Sequence, residues 1–94
     1  MTVDDEQRID TSIVAALYGE HAAELHRLVM GVLRDSQLAS DVVQTTFTRL
    51  VELGHRTREE SRKAWLFRVA YHEALAIRRS QARGQQHLQR AAWT

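Results

Sequence analysis

With 94 residues the chain has room for one domain and one modest core, burying roughly 60–65% of its unfolded surface. It contains no cysteine, no proline and only four glycines, which excludes disulfides and thiolate metal sites and leaves helix-favouring Ala, Leu, Arg, Glu and Gln dominant. The net charge of +1 conceals an asymmetry: residues 1–53 carry nine acids against four bases (net −5), and residues 54–94 carry nine bases against three acids (net +6). Two different partners, one of them nucleic acid, or two halves that neutralise each other, account equally well for that split.

Residues 1–10 are polar and acidic and read as a flexible N-terminus, with the wrong chemistry for a secretory or mitochondrial signal. Asp10, Thr11 and Ser12 offer helix caps. Ile13, Val14, Leu17, Leu25, Leu28, Val29, Val32 and Leu33 then recur at helical spacing, which predicts a first helix over 11–34 with Arg34 suited to the dipole at its end. Asp35 and Ser36 form a turn and cap for a second helix over 36–53. There Leu38, Val42, Val43, Phe47, Leu50 and Leu53 fall on one side, and Asp41, Gln44, Thr45, Thr48 and Glu52 on the other.

Gly54 is placed to stop the second helix. The charged connector 54–62 follows, where Thr57 and Glu60 are spaced as a capping box and predict a short turn or an early helix start. A third helix is expected over 62–82, turning Leu66, Val69, Ala70, Ala74 and Ile77 inward. Trp65, Arg68, His72 and Arg79 lie on its opposite side, with Tyr71 and Arg78 on an adjacent flank. Gly84 is expected to end it, leaving 83–94 as a linker, a tail or a partial further helix.

No run alternates long enough for a strand, and no apolar stretch is long enough to span a bilayer. The expected fold is all-α: a compact three-helix domain over 11–82, orthogonal or bundle-like, with a short extra turn or partial fourth helix. A cytoplasmic location is expected, with no membrane partner.

Catalytic chemistry finds no support. There is no glycine-rich phosphate loop and no HExxH. The five histidines lack ligand spacing; His21 and His26, five apart, point about 140° from one another on a helix. No enzyme activity, catalytic residue, metal or cofactor is therefore expected.

Two segments are more specific: LASDVVQTTFTRL at 38–50 and AWLFRVAYHEALAIRR at 64–79. In this order and at about this separation they resemble region 2 of the sigma-70 family of RNA polymerase sigma factors, of the extracytoplasmic-function (ECF) type. That family commonly reads Ala-Glu-Asp-x-x-Gln-x-x-Phe in the first segment and Trp-Leu-x-x-Ile/Val-Ala-x-Asn, followed by arginines, in the second. The resemblance covers residues 12–80 or so, and Leu17-Tyr18 with Leu25, Leu28 and Leu33 fits the family's opening helix. Four positions depart from the pattern: Ser40 and Thr45 replace frequent glutamates, His72 replaces the usual asparagine, and Ala76 replaces a common aspartate.

The resemblance implies a module of transcription initiation that joins core RNA polymerase to promoter DNA. Asp41, Gln44, Thr45, Thr48 and Glu52 would dock on the clamp helices of the polymerase β′ subunit. A polar, partly acidic stripe can indeed pair with a basic helix through charge-assisted hydrogen bonds, although the same pattern also suits a solvated outer face. Arg56, Arg58, Arg62, Lys63, Trp65, Arg68, Tyr71, His72, Arg78 and Arg79 would meet the single-stranded minus-ten element as it melts, arginines on phosphates and aromatic rings under unstacked bases. Phe67 reads instead as a core-edge residue.

An anti-sigma factor is a further candidate partner. Family members continue into region 4, a helix-turn-helix domain that reads the minus-thirty-five element; it is expected to be lacking here. Two rival readings stay open: a helical protein-interaction module that binds polymerase or an anti-sigma factor without reading DNA sequence, and a plain helical bundle with a general nucleic-acid-binding face.

Overall fold

The computed structural model describes residues 9–93, with side chains for all of these except residue 55 and residues 86–93. Three helices account for most of it: α1 (Thr11–Leu33), α2 (Ser36–Leu53) and α3 (Arg62–Trp93), with short 3-10 turns at Gly54–Arg56 and Glu59–Ser61 joining the last two. No strand occurs among the described residues.

The ends of α1 and α2 follow from local chemistry. Asp10 stands in extended backbone before α1, and its carboxylate accepts from both the backbone N–H and the hydroxyl of Ser12, each at 2.8 Å. Those bonds, the backbone one first, hold the Asp10 carboxyl below the usual carboxylate range. At the other end Arg34 adopts a left-handed conformation (φ 53°) and donates its N–H to the Met30 carbonyl at 2.8 Å, a role more often filled by glycine. Asp35 then caps α2 by accepting from the Leu38 N–H at 2.9 Å. So tight a connection folds α2 back along α1, bringing Tyr18 edge-on to Phe47 at 5.0 Å and His26 Nε2 within 3.3 Å of the Ser36 carbonyl, to which it donates.

The core draws on all three helices: Leu25 and Val29 from α1, Ala39, Val42, Val43, Phe47 and Leu50 from α2, and Leu66, Ala70 and Ala74 from α3. Leu25, Leu50 and Leu66 are fully buried, each contributing about 1.5–3 kcal/mol relative to exposure. Ala70 and Ala74, one turn apart, give α3 a small-residue stripe that permits close packing. Among the described residues Thr46 is the buried polar residue, satisfied because its hydroxyl donates to the Val42 carbonyl one turn earlier at 2.8 Å.

Several expectations need correction. Of the segment 1–10, expected to be flexible, residues 1–8 lie outside the described residues, and Ile9 is buried rather than frayed. It packs at Gly54, where an added Cβ would come 3.3 Å from Ile9 Cδ1 and 3.0 Å from Leu50 Cδ1. Gly54 ends α2 as expected but in right-handed backbone (φ −61°), so the glycine supplies space rather than a special torsion. Short turns do occupy the connector, but Thr57 is no cap: the second turn starts after Arg58 with no side-chain cap bond.

Leu53, expected on the core side, is 41% exposed, and Ile13 is exposed as well. The helix expected to stop near 82 at Gly84 runs on to Trp93. A mid-helix glycine costs only about 1 kcal/mol relative to alanine, too little to end a run so rich in Arg, Gln and Ala. From Arg78 to Gln85 every residue is exposed, so the last turns of α3 project past the bundle. The radius of gyration, 16.6 Å against about 12 Å for a compact chain of this length, reflects that projection.

Candidate functional site

Two surfaces of opposite charge flank the core. The first is a groove of about 520 Å³ where the end of α2, the connector and the start of α3 converge, lined by Leu53, Arg56, Thr57, Arg58, Ser61, Ala64, Trp65 and Arg68. Its residues arrive there for separable reasons. Gly54 turns the chain so that Arg56 and Arg58 follow within four residues, and steps of four and three residues bring Ser61, at the end of the second 3-10 turn, and Trp65 and Arg68 of α3 to the same side. The groove contains three guanidinium groups and no acid, and none of the three is ion-paired among the described residues. Trp65 is half-buried, its body packed on the core and its remaining surface in the groove. Such a wall can hold an anion's oxygens and offers a flat π surface beside them.

The second surface is a shallow groove of about 500 Å³ along α2, lined by Asp41, Gln44, Thr45, Thr48, Arg49 and Glu52. Asp41 accepts from Gln37 Nε2 at 3.2 Å, and the Thr48 hydroxyl donates to the Gln44 carbonyl at 3.0 Å, so Thr48 turns its donor inward to its own helix. Asp41, Gln44, Thr48 and Glu52 are exposed and Thr45 is half-buried.

The ten residues expected to meet DNA do not form one patch. Arg56, Arg58, Trp65 and Arg68 share the basic groove. His72 and Arg79 line a shallower hollow with Leu75 farther along the same side of α3. Tyr71 and Arg78 are exposed on the flank, the Tyr71 ring centre 6.4 Å from that of His72.

Arg62 and Lys63 lie elsewhere, in a hollow against the first turns of α1 with Glu20, Glu59 and Glu60. Lys63 sits over the Phe67 ring at 5.9 Å, and the half-buried Phe67 meets the His21 ring edge-on, as a core-edge residue should. The helical wheel carried that signal for Lys63, since two residues before Trp65 is about 160° around α3.

Sequence reasoning missed Leu53, Thr57, Ser61 and Ala64 as groove lining and Arg49 as a member of the acidic face. The first four depend on how the connector folds. Arg49 was within reach of inspection, four residues after Thr45. Among the described residues no group of three His, Cys, Asp or Glu could hold a metal ion, and no helix is long and apolar enough to cross a membrane.

Comparison with known proteins agrees with this architecture. The family model for sigma-70 region 2 matches residues 17–84, from α1 into the projecting part of α3. The chain is 37% identical over 73 residues to the ECF RNA polymerase sigma factor SigL of Mycobacterium tuberculosis, found in three strains of that organism. That match covers 76% of this chain and 41% of the relative, so the chain spans less than half the length of the curated relatives it matches. No solved structure matches. The family is one of non-enzymatic initiation factors, in keeping with a surface that offers charge and aromatic faces rather than reacting groups. On the family model across all three helices and the identity to SigL, the chain belongs to the sigma-70 region 2 family, with ECF sigma factors as its relatives.

Proposed function

We propose that this domain works in transcription initiation, docking on core RNA polymerase through the acidic face of α2 and holding the melted minus-ten strand of promoter DNA in the basic groove. The observation that carries the DNA half is the acid-free groove in which Trp65 shares a wall with Arg56, Arg58 and Arg68. Guanidinium groups bind phosphate oxygens without regard to sequence, and an indole face accepts an unstacked base. Base–aromatic stacking contributes about 1–3 kcal/mol per base. Opening duplex DNA costs on average about 1.4 kcal/mol per base-pair step. Capture of one or two bases thus offsets the opening of a comparable number of steps, and melting needs binding rather than chemistry. His72 and Arg79 would extend the contact along α3.

Support for the polymerase half comes from family membership and from the exposed Asp41, Gln44 and Glu52, which suit a basic partner helix. By the resemblance that partner is the β′ clamp. The test has two arms. Asp41→Ala with Gln44→Ala is expected to weaken capture of core polymerase while leaving helical content unchanged. Minus-ten single strands are expected to bind better than the same sequence as duplex, with a log–log salt slope of roughly −2 for about three neutralised phosphates. Polymerase binding without any preference for the single strand would favour the interaction module that does not read DNA, and equal capture by the double variant would remove the docking face.

A further inference from the structure

We infer that copies of this chain bind one another head to tail, the acidic stripe of α2 on one copy lying against the basic stripe of α3 on the next. Self-association itself needs neither polymerase nor DNA. Its consequence for function rests on the reading given above, because the contact covers the polymerase face of one copy and part of the DNA face of its neighbour.

Matched spacing carries it. Along α2 the outer side presents Asp41, Thr45, Thr48 and Glu52, at steps of four, three and four residues. Along α3 Arg68, His72, Leu75 and Arg79 follow the same steps. All eight are exposed or half-buried. In each helix the charges end the stripe, eleven residues apart, which is about 16 Å along the axis and about 20° around it. Acids end one stripe and bases end the other. The steps read the same in both directions, so two helices laid side by side put acid on base whether they run parallel or antiparallel.

The stripes do not serve each other within one copy. Asp41, Thr45, Thr48 and Glu52 line one hollow, and His72, Leu75 and Arg79 line another. Asp41, Glu52, Arg68 and Arg79 form no ion pair among the described residues. The opposite charges nearest them are committed elsewhere, since Arg49 in the acidic hollow pairs with Glu73 of α3 at 3.3 Å. Both stripes point away from the shared core, so a contact uses one stripe of each copy and leaves the other free, and growth is head to tail. Exposed charge pairs are individually weak, which sets the Kd at about 0.1–1 mM in low salt.

Sedimentation velocity of the full-length protein from about 0.05 to 1 mM brackets that range. In roughly 10 mM salt, where charges act over about 30 Å, the mean sedimentation coefficient is expected to rise with concentration. In roughly 1 M salt, where they act over about 3 Å, it is expected to stay at the monomer value. Asp41→Ala with Glu52→Ala, and Arg68→Ala with Arg79→Ala, should each remain monomeric with unchanged helical content. An equimolar mixture of the two double variants should associate again but stop at dimers, because one copy keeps only the basic stripe and the other only the acidic one. Glu24→Ala with Glu60→Ala removes as much negative charge as the first variant and should associate like the parent. A short oligothymidylate should release monomers from the parent.

Concentration-independent sedimentation of the parent at low salt overturns the association. Either double variant associating alone, or a mixture that stays monomeric, overturns these stripes as its contact. Loss of association in the Glu24, Glu60 control reduces the effect to net charge and overturns them too. Association that persists with the oligonucleotide bound overturns the shared use of the α3 face. An oligonucleotide that does not bind at all removes the nucleic-acid reading and leaves the self-association standing.

Discussion

Arg49 of α2 and Glu73 of α3 meet at 3.3 Å, and each is a minority charge in its own half of the chain. Among the described residues theirs is the ion pair that joins the acidic half to the basic half. The halves therefore do not neutralise each other as blocks. Asp41 and Glu52 stay exposed on one surface, and Arg56, Arg58 and Arg68 on another. Because both partners remain partly exposed, a double-mutant cycle of Arg49→Ala and Glu73→Ala in urea unfolding is expected to give a coupling of about 0.2–1 kcal/mol, smaller at high salt. A coupling well above that range would mean that the pair is more shielded from water than its geometry indicates.

Arg34 holds the left-handed position that closes α1. A side chain there costs about 1–2 kcal/mol, partly offset by a cation at a helix carboxyl end. Arg34→Gly is expected to be neutral to mildly stabilising. Arg34→Val, whose branched Cβ suits the position least, should be less stable than the glycine variant by about 1–3 kcal/mol. Thermal melts of the two variants decide it, and equal midpoints would contradict the torsion.

Asp10 links stability to pH. Its folded-state pKa lies below the ordinary value of 3.8, so its contribution is fully present above that value and is lost as pH falls through the lowered folded pKa. Asp10→Asn keeps an acceptor for Ser12 but cannot titrate. The loss of melting temperature on acidification below pH 3.8 should be shallower for Asp10→Asn than for the parent. Parallel curves would show that the cap is not the titrating element.

His72 is exposed in the hollow it shares with Leu75 and Arg79, on the side of α3 that also bears Trp65 and Arg68. The asparagine of the family pattern that the second segment resembles would present a donor and an acceptor on a short side chain, suited to a base edge. His72→Asn is expected to raise preference for a minus-ten-like single strand over a scrambled one by about two- to tenfold, the range of one net hydrogen bond. Unchanged preference in competition binding would take His72 out of the DNA face.

What the sequence determined by itself is what local chemistry decides. The limits of α1 and α2 came within one residue because Asp10, Asp35 and Gly54 act through their immediate neighbours. The inward placement of Leu66, Ala70 and Ala74 followed from helical periodicity alone. Opposite charges on two separate surfaces were visible in the same way.

Tertiary structure decided the rest, wherever a residue's fate depends on what stands across from it. Ile9 looks like part of a polar tail until Gly54 provides a gap for its side chain. Leu53 fits the apolar stripe of α2, yet the bundle ends before covering it, and it becomes a groove wall. Arg62 and Lys63 sit in one basic run with Arg58 and Arg68, but the packing of α1 against α3 claims their side of the helix. Periodicity specifies a direction around a helix axis; only the neighbouring helices determine whether that direction meets core, groove or water.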